Sequence, residues 1–229
     1  MALYGVFHAT GILLWYYYFV YTFLPQFPEL TEKAFEWIFM GAIPVAYVGA
    51  RLMDHFNGGV AWDDLCKQTP GLSFYGSAYI LPVYAIGIEH FYHFGVLKML
   101  DALSVSCCFL IVCGRLANYA IGELKGCWSP LLKRRHPNQL YECFGEGILP
   151  FVLLKPYEDT LGEGRITLIW TYTYAVCRIF CEFCREDDEM PAWYRDLRHR
   201  TGMKWLQVQA VLFSIWYTLI YFIYFNNLA

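Results

Sequence analysis

Charge is scarce in this chain. Only 16% of its 229 residues are Asp, Glu, Lys or Arg, against about a quarter in a soluble domain. The 17 basic and 20 acidic side chains leave a net charge of -3 and gather into no basic tail, which excludes nucleic acid as a partner. Internal repeats and low-complexity tracts are missing, so residues 1–229 read as a single domain with little mass for soluble modules. Metal-ligand spacing is missing too. Cys181-Glu-Phe-Cys184 has the CxxC form, but no second ligand pair accompanies it. Cys107, Cys108, Cys113, Cys143 and Cys177 fall in apolar segments, where a thiol packs as a small hydrophobe, and only Cys66 and Cys127 fall in loops. No metal, nucleotide or other cofactor is expected. The first residues carry no charged leader and no small-residue cleavage site, and are expected to open the first span rather than form a removable signal.

Apolar and aromatic residues are abundant, at 58% and 20%. Aromatics at that density suit membrane interfaces and packed spans. Hydropathy predicts seven spans, near 3–24, 34–50, 72–96, 99–121, 139–155, 163–184 and 205–225. The fold expected is an all-α membrane protein, a bundle of about seven transmembrane helices with small extramembrane loops. Pro82, with Glu89, His90 and His93, weakens the third span, and Gly145-Glu146-Gly147 interrupts the fifth. Irregular backbone at that depth has to lie against protein or a cavity, and this break is expected to be where the site opens sideways to lipid. The last span carries no charge and is expected to be anchor and packing surface.

Against this background the intramembrane charges stand out. Arg115 and Asn118 are three residues apart on one helical face, and Glu123 follows Gly122, where the helix is expected to end. An arginine at membrane depth is costly and calls for a polar partner; the alternative is an arginine snorkelling from a helix end. Tyr174, Arg178 and Glu182 recur at four-residue intervals, with Arg185 three further on. Arg178 and Glu182 alone would make a self-neutralising ion pair. Two arginines on separate helices suit a shared anion, since two guanidinium forks fit a phosphate. His136-Pro-Asn-Gln-Leu-Tyr-Glu142 opens the fifth span with Pro137 at the helix start, and is either part of a site or an ordinary interfacial helix start. Gly49-Ala-Arg51 and Gly71-Leu-Ser-Phe-Tyr-Gly76 suit close helix packing or close approach to a ligand.

Taken together, GRLANYAIGE at 114–123, RHPNQLYE at 135–142, the Arg178–Arg185 element, Gly49-Ala-Arg51 and GLSFYG resemble the bacterial prolipoprotein diacylglyceryl transferase family. The resemblance runs from Tyr4-Gly5 to the Met203 region. It implies a multi-pass enzyme of the bacterial cytoplasmic (inner) membrane that moves the diacylglyceryl group of phosphatidylglycerol to a cysteine thiol of a lipoprotein precursor. It implies Arg115, Arg178, Glu182, Tyr75 and His136 as catalytic candidates. Tyr4, Arg51, Asn118, Glu123, Gly126, Gln139, Tyr141, Glu142, Tyr174 and Arg185 would bind substrate, with Asn118, Glu123 and Glu182 orienting the arginines. Three departures accompany it. Tyr75 stands where the family has a histidine; the loop between Gly126 and His136 is short; and basic residues favour the side that the family places outside. The first two leave open a different acceptor for the same donor, or a non-catalytic phospholipid-binding relative. With tyrosine at 75, His136 or His8 (one turn from Tyr4) is expected to carry the thiol proton.

Overall fold

The computed structural model describes residues 2–57, 73–186 and 202–225. Cys66, Gly71, Leu72 and most of the acidic-then-basic loop before Met203 lie outside the described residues. What is described is almost entirely helical, and seven helical segments coincide in position with the seven apolar runs. The first is α1 (Ala2–Tyr18), which continues as a π-helical turn, Phe19–Phe23, and a short 3-10 turn, Leu24–Gln26. Next come α2 (Glu32–Phe56) and α3 (Phe74–Tyr92). The fourth run is divided into α4 (Val96–Ser106) and α5 (Cys108–Ile121). The fifth contains α6 (Asn138–Glu142), a π-helical stretch Cys143–Ile148, and α7 (Leu149–Leu154). The sixth is α8 (Arg165–Phe183) and the seventh α9 (Trp205–Phe225).

Two of these segments, Val96–Ile121 and Trp205–Phe225, are apolar and long enough to cross a membrane, with mean hydropathies of 2.1 and 1.7. Large apolar side chains point outward across the bundle, including Val6, Trp37, Met40, Phe180, Phe222 and Ile223. Such a surface suits hydrocarbon better than water. The interior holds the polar groups instead.

Local chemistry explains the ends and crossings of the helices. Thr31 caps α2, its hydroxyl accepting from the Ala34 N–H at 3.1 Å. Between α4 and α5, Ser104, Ser106 and Cys107 bond back to carbonyls three or four residues earlier, around the turn at Cys107 that separates the two helices. α5 stops at Gly122, which takes a left-handed φ of +73° while the Glu123 N–H closes on the Asn118 carbonyl at 3.0 Å. Small residues set the crossings. A Cβ on Gly49 would lie 2.5 Å from the Gly76 carbonyl oxygen, so α2 and α3 approach backbone to backbone. Gly11 of α1 meets Cys113 of α5 in the same way.

Asp101 fixes α8. Its buried carboxylate on α4 accepts from the Gly164 N–H (2.9 Å), the Thr167 N–H (2.9 Å), the Thr167 hydroxyl (2.8 Å) and the Gly162 N–H (3.3 Å). These are the N–H groups that a helix start leaves without partners, and a negative charge there also suits the helix dipole. Beyond α5 a two-residue hairpin, β1 (Trp128–Ser129) with β2 (Arg134–Arg135), is followed by His136, whose N–H bonds to the Cys127 carbonyl at 3.0 Å. Cys127 bonds in turn to the Cys184 carbonyl at 2.8 Å, tying this segment to the end of α8.

Asp101→Ala leaves two buried backbone donors and one half-buried donor without this acceptor and is predicted to cost about 2–4 kcal/mol. Thermal unfolding of the detergent-solubilised protein measures it, and a midpoint unchanged from wild type would contradict the capping role.

Candidate active site

The polar interior centres on a ring of four charges. Arg115 of α5 reaches Glu142 Oε2 through Nη1 (2.9 Å) and Glu146 Oε2 through Nη2 (2.7 Å). Arg178 of α8 reaches the other oxygen of each, Glu142 Oε1 at 2.8 Å and Glu146 Oε1 at 3.2 Å, through Nη1. Each carboxylate thus bridges both guanidinium groups. Arg178 Nη2 also meets Glu182 at 3.0 Å, and Arg185 lies 3.4 Å from Glu182 and 3.6 Å from Glu142. Three arginines and three glutamates make the formal charge of the cluster zero. All three carboxylates, Arg178 and Arg185 are buried, whereas the Arg115 side chain keeps 13% exposure. The cluster therefore opens at Arg115.

The backbone brings these groups together through two glycines. A Cβ on Gly147 would lie 2.6 Å from Val112 Cγ2, and one on Gly145 would lie 3.0 Å from Cys177 Cβ. Without side chains there, the π-helical stretch wedges between α5 and α8 and carries Glu146 to both arginines. This differs from the expectation of a sideways opening at Gly145–Gly147. The glycines close that region by packing it against its neighbours.

Around the ring lie the other candidates. Asn138 donates to Glu142 Oε1 at 2.8 Å, and the Gln139 side-chain amide donates to the Glu123 carbonyl. Tyr75 and Tyr174 are buried with ring centroids 6.4 Å apart, and both feel the charges of Arg178 and Glu146. On the Arg115 side, Tyr4 packs on His8 at 4.3 Å, and His8 lies over Gly114. Polar atoms buried here without a hydrogen-bond partner among the described residues include Tyr75 Oη, Asn138 Oδ1, Arg178 Nε and His8 Nε2. In a low-dielectric interior such atoms mark where a ligand or water belongs.

Other expected residues lie outside the ring. Glu123 is exposed and Asn118 half-buried; the carboxylates in contact with Arg115 are those of Glu142 and Glu146, while Glu123 and Arg115 both lie near enough to Tyr4 for their charges to act on it. The turn at Gly122 places Glu123 beyond the helix end. Gly126 serves the backbone junction, where a Cβ would meet the His136 carbonyl oxygen at 2.4 Å and that of Cys184 at 2.8 Å. His136 lies at the rim, its Nδ1 3.4 Å from the Tyr141 hydroxyl. Arg51 is buried on α2, near enough to Asp54 for their charges to interact. Lys204 donates to the Glu182 and Arg185 carbonyls, both at 2.7 Å, and so completes the end of α8. Glu146, Asn138 and Lys204 were not among the residues expected from the sequence. Glu146 carried a readable signal, lying four residues after Glu142 and between two glycines.

Comparison with known proteins adds a family. The model described as prolipoprotein diacylglyceryl transferase matches residues 1–224. The phosphatidylglycerol–prolipoprotein diacylglyceryl transferase of Bartonella bacilliformis is 26% identical, over 93% of this chain and 85% of its own length. The protein of that name from Rickettsia typhi is 28% identical over 81% and 79%, and the one from Campylobacter lari 33% identical over 52% and 46%.

Gly147→Ala is predicted to push the π-helical stretch off α5, lowering stability by about 1–3 kcal/mol and separating Glu146 from Arg115. Gly87→Ala, where a Cβ meets nothing within 4 Å, is the neutral control. Equal melting temperatures for the two variants would contradict the packing role of Gly147.

Proposed function

The chain belongs to the prolipoprotein diacylglyceryl transferase family, and from that premise we propose that it moves the diacylglyceryl group of phosphatidylglycerol to the cysteine thiol of a lipoprotein precursor. We also propose that all seven helical segments cross the bacterial inner membrane. The observation that carries the reading is the convergence of Arg115 and Arg178, from two helices, on one pair of carboxylates. Two guanidinium groups whose N–H bonds meet four carboxylate oxygens are spaced to hold the oxygens of a phosphate diester as well.

The chemistry follows from the groups present. The acceptor sulfur attacks the terminal glycerol carbon of the diacylglyceryl group as the thiolate. A carbon–sulfur bond forms, and the bond from that carbon to the phosphate oxygen breaks. Glycerol phosphate leaves, and the thiol proton ends on it. Charge grows on the departing phosphate oxygen, where a preorganised guanidinium lowers the barrier most. His8, with its buried unpartnered Nε2 beside the open Arg115 side, takes the proton from sulfur. His136 already faces Tyr141 at the rim. The buried Tyr75 hydroxyl, which has no partner among the described residues, donates a hydrogen bond to the phosphate. Glu182 and Arg185 support Arg178 from behind.

A second reading keeps the donor and changes the acceptor. Tyr75 favours it, because a phenol packed among Tyr79, Tyr174 and Phe213 is a poor base at neutral pH. Complementation separates the two readings: the chain is expressed in a bacterium depleted of its own transferase, and lipoprotein modification is followed. Modification is expected from the wild type. Arg115→Lys and Arg178→Lys are each expected to lose about a hundredfold in turnover, since an ammonium cannot replace the fork. Full activity in both would remove the arginine pair from the reaction. A wild type that consumes phosphatidylglycerol but leaves lipoproteins unmodified would favour the second reading.

A further inference from the structure

We infer that Glu146 is a displaceable counter-ion, which the donor's phosphate must evict from between Arg115 and Arg178 before transfer; this rests on the phosphate reading of that arginine pair. The ring holds four charges in alternation, and the terminal nitrogens of both guanidinium groups face carboxylates. A phosphate lying between the two guanidinium groups therefore takes the place of one of these carboxylates. The two carboxylates are not held alike. Glu142 has Arg115, Arg178 and Arg185 nearby and a neutral anchor besides, the Asn138 amide one turn before it. Glu146 is held by the two arginines alone, with its contact to Arg178 the longer at 3.2 Å.

The backbone agrees with this difference. Glu142 ends a regular helical turn, whereas Glu146 lies inside the π-helical stretch Cys143–Ile148 between two glycines. A π-helical turn holds one residue more than an α-helical one. Returning it to α-helical bonding would turn Glu146 by about 100° about the axis, away from the arginines. The exchange leaves the charge between the two arginines unchanged, and Glu146 takes its own charge with it. The cluster is formally neutral at rest, and the incoming phosphate diester takes over the place of the carboxylate between the same two cations. Release of glycerol phosphate lets Glu146 return, which keeps the arginines from holding the product.

The test is donor binding to the full chain in nanodiscs of zwitterionic lipid, with dihexanoyl phosphatidylglycerol as the probe. In Glu146→Gln the competitor is neutral, and affinity is expected to rise about tenfold or more, because the competent state no longer has to be freed. Glu142→Gln removes an anchor and is expected to weaken binding. Binding in Glu146→Gln that equals the wild type, or falls as in Glu142→Gln, would overturn the inference. Should Glu146→Gln fail to fold, infrared difference spectra of the wild type decide. Loss of an arginine-paired carboxylate band on adding the probe supports displacement, and an unchanged carboxylate region refutes it. A wild type that binds no probe removes the phosphate reading itself, and this inference with it.

Discussion

Burying an ionised side chain in an apolar interior is tolerable only when its charge is matched and its hydrogen bonds are made. The ring of Arg115, Glu142, Arg178 and Glu146 meets that condition with three separate stretches of chain, and the rest of the bundle is arranged around it. Removing any one member would leave one buried charge unmatched in the cluster, and the same contacts that could bind a ligand also join α5, the π-helical stretch and α8. An ion pair of this kind contributes little net stability compared with apolar packing. Its presence at the centre of an otherwise apolar bundle is better explained by chemistry than by folding.

Several features far apart in the sequence serve that ring. Gly145 and Gly147 let a backbone carrying two glutamates pass between two arginine-bearing helices. Asp101 binds the start of α8, about three to four turns before Arg178, and so sets where along the bundle the polar face of α8 falls. The junction of Gly126, Cys127, His136 and Cys184 holds the start of α6 against the end of α8. Aromatic packing of Trp170, Tyr174, Phe213 and Tyr217 closes the opposite side. Among the described residues the Arg115 side remains partly open, with Tyr4 and His8 beside it.

Much of this could be read from the sequence, and the parts that could not have identifiable causes. Hydropathy located the seven helical segments among the described residues, because each is an apolar run bounded by glycine, proline or charge. Helical spacing put Arg178 and Glu182 on one face, and they do pair. The glycine at 122 ended α5 as expected, which placed Glu123 beyond the helix, where periodicity no longer says which face a residue takes. Glu146 was passed over as part of an interruption, although its spacing from Glu142 and its flanking glycines were legible. Its role depends on a π-helical turn and on contact with residues 31 and 32 positions away, and spacing alone shows neither. Asp101 was hidden for a related reason: the helix it caps begins 64 residues later, at Arg165.

The central claim is that Arg115 and Arg178 together hold the phosphate of a lipid donor. Its most direct test is an experimental structure of the chain in nanodiscs containing phosphatidylglycerol. The account predicts phosphate density within about 3 Å of both guanidinium groups. Bound lipid elsewhere, with both arginines still engaged only by Glu142 and Glu146, would contradict it.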